Sequence, residues 1–303
     1  MRRPTCSDTG DIPHTAVVLL ASLTLLWGVQ WPMMRIILVE VTPMTFRTLL
    51  PPIAALVLFG LLRATDRPIA LPRGLWPGVA IAGMLNIGAW NVGTAFALTH
   101  LTSGHAVVLA YTMPVWAALF SAIFINERLT LKLLVALALG MVGIGALAIG
   151  DIHSITAAPA GIAWILFAAV AWAAGTVYLK HLGATVSVLA ITGWQIIAGT
   201  IPVAIAGVAF GGIELTSPSP LVWFLLVYTV LGPHCFCYFA WFTVIRLVPT
   251  SIAAIGTLMI PVLGAVIGAI ALDEPFGPKE CVALASVCSA IGLVLFRSDK
   301  GGH

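Results

Sequence analysis

Charged side chains are scarce in this sequence. Only 8% of its 303 residues are charged, whereas 60% are hydrophobic. A soluble domain carries roughly 25% charged residues, so a water-facing surface could not be covered here. The mean hydropathy of +1.09 agrees with this reading, and the sequence therefore predicts an integral membrane protein.

Basic clusters and metal-binding patterns are also missing. The net charge is +3, and Lys and Arg do not cluster as a nucleic-acid groove requires, so no nucleic-acid partner is expected. No CxxC or Cys/His spacing occurs, and neither a metal site nor another cofactor is expected. We interpret the cysteines as small apolar packing residues, namely Cys6, Cys235, Cys237, Cys281 and Cys288.

No Asp or Glu falls in the interior of a predicted membrane span. The acidic residues near the spans lie at their ends or in loops, namely Glu40, Glu127, Glu214, Asp273, Glu274 and Glu280. Ionisable groups inside a bilayer are costly and by default functional. Proton-coupled pumps for cationic drugs commonly need a buried carboxylate. Its absence favours a neutral or zwitterionic cargo.

Two other classes of membrane protein find little support. No HExxH motif and no intramembrane pair of aspartates occurs, and "LTSGH" lacks the glycine two residues before the serine of a nucleophile elbow, which disfavours an enzyme. A channel would show a charged ring or a filter loop, and neither is visible. Two prolines nevertheless free backbone carbonyls, so a facilitative channel stays open as an alternative.

The sequence contains segments of about 20 apolar residues, the length that a membrane-spanning helix needs. Ten are predicted, at about 15–34, 43–62, 74–98, 102–125, 130–150, 159–179, 184–208, 219–245, 249–272 and 278–297. With the N-terminus in the cytoplasm, eleven Lys and Arg lie on that side and three, Arg35, Arg47 and Lys279, on the other. The positive-inside rule then predicts that both termini are cytoplasmic.

An internal repeat divides the chain. "YTMPVWAALFSAIFINE" and "LMIPVLGAVIGAIALDE" place a proline thirteen residues before a glutamate, as Pro114 and Glu127 and, 147 residues later, Pro261 and Glu274. The predicted halves are 1–152 and 153–303, with five spans each. Because five is odd, the second half must be inverted in the membrane. Inverted repeats are typical of secondary transporters, with the substrate site near the midplane at the repeat interface.

The repeated prolines and glutamates are candidate gating elements. Pro114 and Pro261 each leave a carbonyl without its helical donor, those of Ala110 and Thr257, which indicates helices that line a cavity and flex there; simple bending for packing is the alternative. For Glu127 and Glu274 the expectation is a cap on the helix that follows. A gate or latch contact is the alternative.

Polar and aromatic side chains at helical spacing define a candidate substrate site. In the third span Asn86, Trp90 and Thr94 share one face with Asn91 beside it, and in the eighth His234, Tyr238 and Trp241 do so. Aromatic rings with a polar handle suit a cargo that is apolar at one end. The predicted substrate-binding set is Gln30, Asn86, Trp90, Asn91, Tyr111, Trp172, His234, Tyr238 and Trp241. Core packing and interfacial belts are the alternative roles of such residues.

His105 and His234 are the candidate proton carriers, and proton coupling and facilitated diffusion both stay open.

The chain resembles the EamA-type, ten-helix branch of the drug/metabolite transporter superfamily. The resemblance rests on "LLWGVQWP", on Arg47 early in the second span, on "YTMPVWAALFSAIFINERLT" and on the repeat copy "MIPVLGAVIGAIALDEPFG". Within the branch, the aromatic interior is similar to bacterial exporters of amino acids, including aromatic ones. Arg47 matches an arginine of the family, but Thr192 occupies the equivalent position of the second half.

The resemblance implies an all-α membrane protein with a basket of helices around a central cavity that opens alternately to each side. It implies export of small metabolites across the bacterial inner membrane, by a protein that functions as a monomer. A multidrug exporter, or an exporter of nucleosides or other metabolites with the same fold, is the alternative function.

Overall fold

The computed structural model describes residues 12–101, 103–147, 158–210, 214, 217–272 and 277–295. These residues form ten successive helices, with the bounds α1 (His14–Glu40), α2 (Pro43–Ala64), α3 (Arg73–Ala97), α4 (Ser103–Ala110 and Met113–Phe124), α5 (Leu131–Leu147), α6 (Pro159–Leu182), α7 (Val188–Phe210), α8 (Pro220–Leu247), α9 (Thr250–Gly256 and Met259–Leu272) and α10 (Pro278–Leu295). The predicted fold class, an all-helical membrane protein of ten helices, is confirmed.

Most of the helices are long and apolar enough to cross a bilayer. Eight within the described part of the chain meet that requirement by length and composition, whereas α5 has only 17 residues. The short helix α5 packs along α10, which has 18 residues. The boundary near His100, where the third and fourth predicted spans almost touch, is a short turn between Ala97 and Ser103.

Helix contacts follow the repeat. Helix α1 packs against α8 and α9 of the second half, and α6 correspondingly packs against α3 and α4 of the first. The pairs α2–α7, α4–α9 and α5–α10 each join a helix to its own counterpart. Exchanging the halves therefore leaves this contact pattern unchanged, as expected for two interlocked inverted repeats.

Helices α4 and α9 are each interrupted just before the repeated proline. The breaks fall at Tyr111–Thr112 and at Thr257–Leu258, ahead of Pro114 and Pro261. Short bonds between residues three apart replace the helical ladder there, for example from the Ile260 N–H to the Thr257 carbonyl at 3.0 Å. The Thr257 carbonyl is thus already bonded, and the expectation that Pro261 leaves it free was wrong.

Helices α3 and α8 carry a second matched irregularity. Each contains a π-helical segment, Met84–Ala89 in α3 and Val230–Cys237 in α8. A shift of 147 residues superimposes the two segments. π turns close hydrogen bonds between residues five apart rather than four. Side chains after each segment therefore face a different side of the helix from the one that regular α-helical spacing predicts.

Glycines allow the backbones of α3 and α7 to approach closely. A Cβ atom built on Gly199 would lie 2.5 Å from the Gly83 carbonyl oxygen, and one built on Gly83 would lie 2.5 Å from the carbonyl oxygen of Gln195. Small residues at such crossings are the usual means of tight helix packing in membranes. These contacts hold α7 directly behind the π segment of α3.

We expect Gly199→Ala to lower the free energy of unfolding of the detergent-purified protein by about 1–3 kcal/mol, because the added methyl group would meet backbone atoms that cannot move aside. The matched control is Gly60→Ala in α2, where a Cβ atom would meet nothing within 4 Å. Thermal unfolding of both variants is the measurement. Equal unfolding temperatures would show that the α3–α7 crossing is not tight.

Candidate functional site

A cavity of about 160 Å³ lies among α1, α2, α3, α4, α6, α8 and α9. One water molecule needs roughly 10–15 Å³ on the same measure, so the space accepts a small organic molecule. Aromatic side chains form much of its wall, namely Trp27, Trp31, Phe46, Trp90, Tyr111, Trp172 and Tyr238.

The cavity lies closer to one side of the helix bundle. We call face A the side at which odd-numbered helices begin, and face B the side at which even-numbered helices begin. Lining residues Met34 near the end of α1, Arg47 near the start of α2 and Leu98 just after α3 all belong to the half nearer face B. The cavity is therefore displaced towards face B.

Seven of the nine predicted substrate-binding residues line this cavity, namely Gln30, Trp90, Asn91, Tyr111, Trp172, His234 and Tyr238. The breaks before the repeated prolines also lie at its wall, because Tyr111, Met113 and Ile260 line it. The remaining two predicted residues, Asn86 and Trp241, lie behind the wall and do not reach the cavity.

Asn86 is fully buried in a polar network between helices. Its Nδ2 donates to Oε1 of Gln195 at 3.1 Å, and its Oδ1 accepts from the Thr176 hydroxyl at 3.1 Å. Asn86 sits inside the π segment, so regular spacing from Trp90 did not hold and the two side chains point to different sides. Asn86 therefore joins α3 to α6 and α7 instead of facing cargo.

Trp241 supports the wall from behind. It is 0% exposed, and its ring lies 4.7 Å from that of Trp172, centroid to centroid. Trp172 in turn lies 6.4 Å from Trp90, and Trp27 meets Tyr238 edge-on at 5.9 Å. Aromatic pairs in such tilted and edge-on contacts stabilise one another beyond their buried area, so the wall is a connected aromatic layer.

A polar chain crosses the wall between α1 and α8. The Thr229 hydroxyl donates to Oε1 of Gln30 at 3.1 Å, and Nδ1 of His234 lies 2.9 Å from the Thr229 carbonyl oxygen. A carbonyl can only accept, so Nδ1 carries the proton in this contact. In a neutral imidazole Nε2 is then an acceptor, and His234 can accept a hydrogen bond from water or cargo.

Arg47 also lines the cavity, although the spacing of polar residues did not place it in the site. Its side chain is 7% exposed. Nη1 donates to the Asn91 carbonyl at 2.7 Å and to the Thr94 hydroxyl, and so ties α2 to α3. Its charge within a predicted span was the signal that could have identified it, because such charges are functional candidates by default.

Glu127 holds face A together. Its carboxylate accepts from Nζ of Lys180 at 2.9 Å and from the Thr250 N–H at 2.9 Å. The Ser251 hydroxyl adds a contact at 3.3 Å, and Nζ of Lys180 also donates to the Val248 carbonyl at 2.6 Å. Glu127 thus caps the start of α9 in the other half, whereas the expectation was a cap on the helix that follows it.

The turn before Glu127 positions it for this contact. Asn126 has a φ of +56°, a left-handed conformation that Asn tolerates better than most residues. The Glu127 N–H then donates back to the Ser121 carbonyl at 3.0 Å and closes the end of α4. The counterpart Glu274 and the side chains of Arg35 and His105 lie outside the described residues.

We expect Asn86→Ala to lower the free energy of unfolding by about 1–3 kcal/mol, because Gln195 and Thr176 lose a buried partner. Asn91→Ala is the matched control in the same helix, since among the described residues the Asn91 side-chain amide bonds only to the Ile87 carbonyl of its own helix, at 2.7 Å. Thermal unfolding in detergent would compare them. A larger decrease in the free energy of unfolding for Asn91→Ala than for Asn86→Ala would contradict this account of Asn86.

We expect Glu127 and Lys180 to be energetically coupled by about 1 kcal/mol in a double-mutant cycle, using Glu127→Gln and Lys180→Met. The control pair is Lys279 and Glu280, which lie 4.0 Å apart with Lys279 46% exposed, and exposed pairs contribute little. Unfolding temperatures of the single and double variants give the coupling. Simple additivity at Glu127 and Lys180 would show that this contact does not hold face A.

Comparisons with known proteins point to one family. The profile of the EamA-like transporter family matches residues 14–149 and again residues 159–296. The two matches correspond to the two helical halves, and together they cover most of the chain.

Curated relatives match along nearly the whole length. The chain is 27% identical over 305 residues to "Uncharacterized transporter YvbV" of Bacillus subtilis, covering 95% of this chain and 94% of that one. It is 26% identical to "Uncharacterized inner membrane transporter YedA" of Escherichia coli K12, covering 91% and 89%. A solved crystal structure matches with a TM-score of 0.78 over 92% of this chain and 95% of that chain. Its 18% identity supports the fold alone.

Proposed function

Because the chain belongs to the EamA-like transporter family, we propose that it exports small metabolites, amino acids and aromatic ones among them, as a secondary transporter working by alternating access. The protein is a multi-pass membrane transporter and not an enzyme. The cavity carries the proposal, since it combines an aromatic wall with a few polar groups. At face A the ion pair between Glu127 and Lys180 links the helix ends.

The distribution of basic residues supports a cytoplasmic face A. Arg63, Arg67, Arg73 and Arg128 all lie in or beside the connections at that face, as the positive-inside rule requires of cytoplasmic loops. Both termini would then be cytoplasmic and the cavity displaced towards the outside. The relative named as an inner membrane transporter supports placement in that membrane.

The cavity suits a cargo with one apolar end. Trp90, Trp172 and Tyr238 offer ring surfaces, while Gln30, Asn91 and His234 offer hydrogen-bonding groups. No acidic side chain is among the cavity-lining residues that the structure describes. A neutral or zwitterionic cargo therefore fits this wall better than a cationic drug.

Alternating access requires the contacts at face A to break when the cavity opens there. Glu127 would release Lys180 and the start of α9, and the breaks before Pro114 and Pro261 would take up the bending. Helix breaks next to a substrate site are a recurrent device in transporters with inverted repeats. Loops and helix ends that absorb large dihedral changes serve as such hinges.

We expect Trp90→Ala and Tyr238→Ala to reduce the transport rate about tenfold, because each removes a ring from the cavity wall. A tenfold reduction corresponds to a loss of ~1.4 kcal/mol in the free energy of binding. Trp223→Ala is the matched control, since Trp223 is 56% exposed on the outer surface of α8. The measurement is counterflow of labelled amino acids in proteoliposomes. A variant that is poorly folded yet transports normally once folded would show that its ring only packs.

The same vesicles distinguish the other functions. Saturable, stereoselective counterflow of amino acids supports the proposal. Transport of nucleosides or cationic drugs from the same panel, without amino acids, would favour a different exporter, and non-saturating flux far above carrier rates would favour a channel.

A further inference from the structure

Arg47 places a permanent positive charge at the cavity wall. Its side chain is 7% exposed and lies among the lining residues, early in α2. Its partners, the Asn91 carbonyl and the Thr94 hydroxyl, are both neutral. A guanidinium group cannot relieve the cost of burial by losing its proton, because it stays charged in proteins.

Three of the described carboxylates near the membrane are engaged away from this cavity, and the exposed Glu214 between α7 and α8 does not line it. Glu127 pairs with Lys180 at face A, Glu40 accepts from Ser219 at face B, and Glu280 accepts from the Gly277 N–H at the start of α10. Within the described ranges no Asp or Glu lines the cavity. Among the described residues Arg47 thus has no counter-ion at the cavity, and an unpaired buried charge is strongly destabilising.

Part of the guanidinium group is available to a ligand. Nη1 makes the two contacts described, whereas Nε and Nη2 have no hydrogen-bond partner among the described residues. Neither atom is fully buried, and Arg47 is one of the residues that line the cavity. The planar guanidinium group presents adjacent N–H groups in a fixed fork, and two such groups match the two oxygens of a carboxylate.

We infer that the cavity binds its cargo through a carboxylate group held by Arg47, with the apolar part of the cargo against the aromatic wall. A single carboxylate balances the single charge, whereas a phosphate dianion would leave one negative charge unpaired. The described wall offers no carboxylate to an ammonium group. Binding therefore depends more on the carboxylate of an amino acid than on its amino group.

This inference rests on the proposed function and is tested by comparing matched probes on the unmodified protein. The probes are L-phenylalanine, 3-phenylpropionate, which lacks the amino group, and phenethylamine, which lacks the carboxylate. Binding is measured as the shift of the unfolding temperature in detergent, and transport as counterflow of labelled L-phenylalanine in proteoliposomes. We expect 3-phenylpropionate to bind and phenethylamine to bind at least about tenfold more weakly, a difference of ~1.4 kcal/mol.

The outcomes separate the two proposals. If L-phenylalanine is transported but phenethylamine competes as well as 3-phenylpropionate, the carboxylate inference is wrong and the proposed function stands. If 3-phenylpropionate binds while no amino acid is transported, the proposed function is wrong and the inference stands. If neither 3-phenylpropionate nor L-phenylalanine binds, the carboxylate inference is overturned, and the proposed function is overturned as well if no other amino acid of the panel is transported.

Substitution of Arg47 tests the role of the side chain. We expect Arg47→Gln to weaken 3-phenylpropionate binding at least about tenfold, whereas Arg63→Gln, at the exposed end of the same helix, leaves binding unchanged. Because Arg47 also ties α2 to α3, Arg47→Lys is the second variant. It keeps the charge without the fork, and we expect intermediate binding. A folded Arg47→Gln protein with unchanged affinity would overturn the assignment.

Discussion

Inside a bilayer no water is available to a backbone N–H or C=O group that leaves its helix, and an unsatisfied group costs several kcal/mol. Irregular backbone is therefore tolerated only where protein or a water-filled cavity satisfies it. Apart from the prolines inside α1, α2 and α7, four departures occur in the described helices, namely the π segments of α3 and α8 and the breaks in α4 and α9. Residues in or next to all four line the same cavity. The irregular backbone and the candidate site thus mark one place in the fold.

This constraint also explains how far the sequence could predict the molecule. Apolar length and basic residues give helix number and order, and the repeated proline and glutamate reveal the two halves. Positions after the π segments, such as Trp90 and Tyr238, were predicted in the cavity and lie there. Asn86 was misplaced because helical spacing assumes bonds between residues four apart, and no local sequence pattern announces a π turn.

Long-range contacts escaped prediction for a different reason. Glu127 stabilises the start of α9, 123 residues further along the chain, and Arg47 bonds to α3 across the site. Neither partner is close in sequence. Only the packing of the helices brings these groups together, so a local reading assigns Glu127 to the helix next to it and leaves Arg47 without a role.

The repeat supplies a symmetric scaffold, whereas the chemistry of the cavity is asymmetric. The equivalent of Arg47 is Thr192, which is fully buried and bonds to the Val188 carbonyl of its own helix. The equivalents of Asn91 and Thr94 are Tyr238 and Trp241, so the first half contributes polar groups where the second contributes rings. The two halves therefore offer unlike surfaces to the cavity, although the repeat relates their helices.

The energy of the contact at face A is compatible with control by cargo. The Lys180 and Glu127 side chains are 19% and 15% exposed, so solvent screens their pair only in part, and the pair contributes about 1 kcal/mol. Capping of α9 adds about 0.5–2 kcal/mol. A ligand shifts a conformational equilibrium only by its difference in affinity for the two states, and a nearly complete switch needs about 5.5 kcal/mol. By these figures the contact at face A is weaker than a nearly complete switch requires, and a ligand opposes it only by binding the state with face A open more tightly than the closed state.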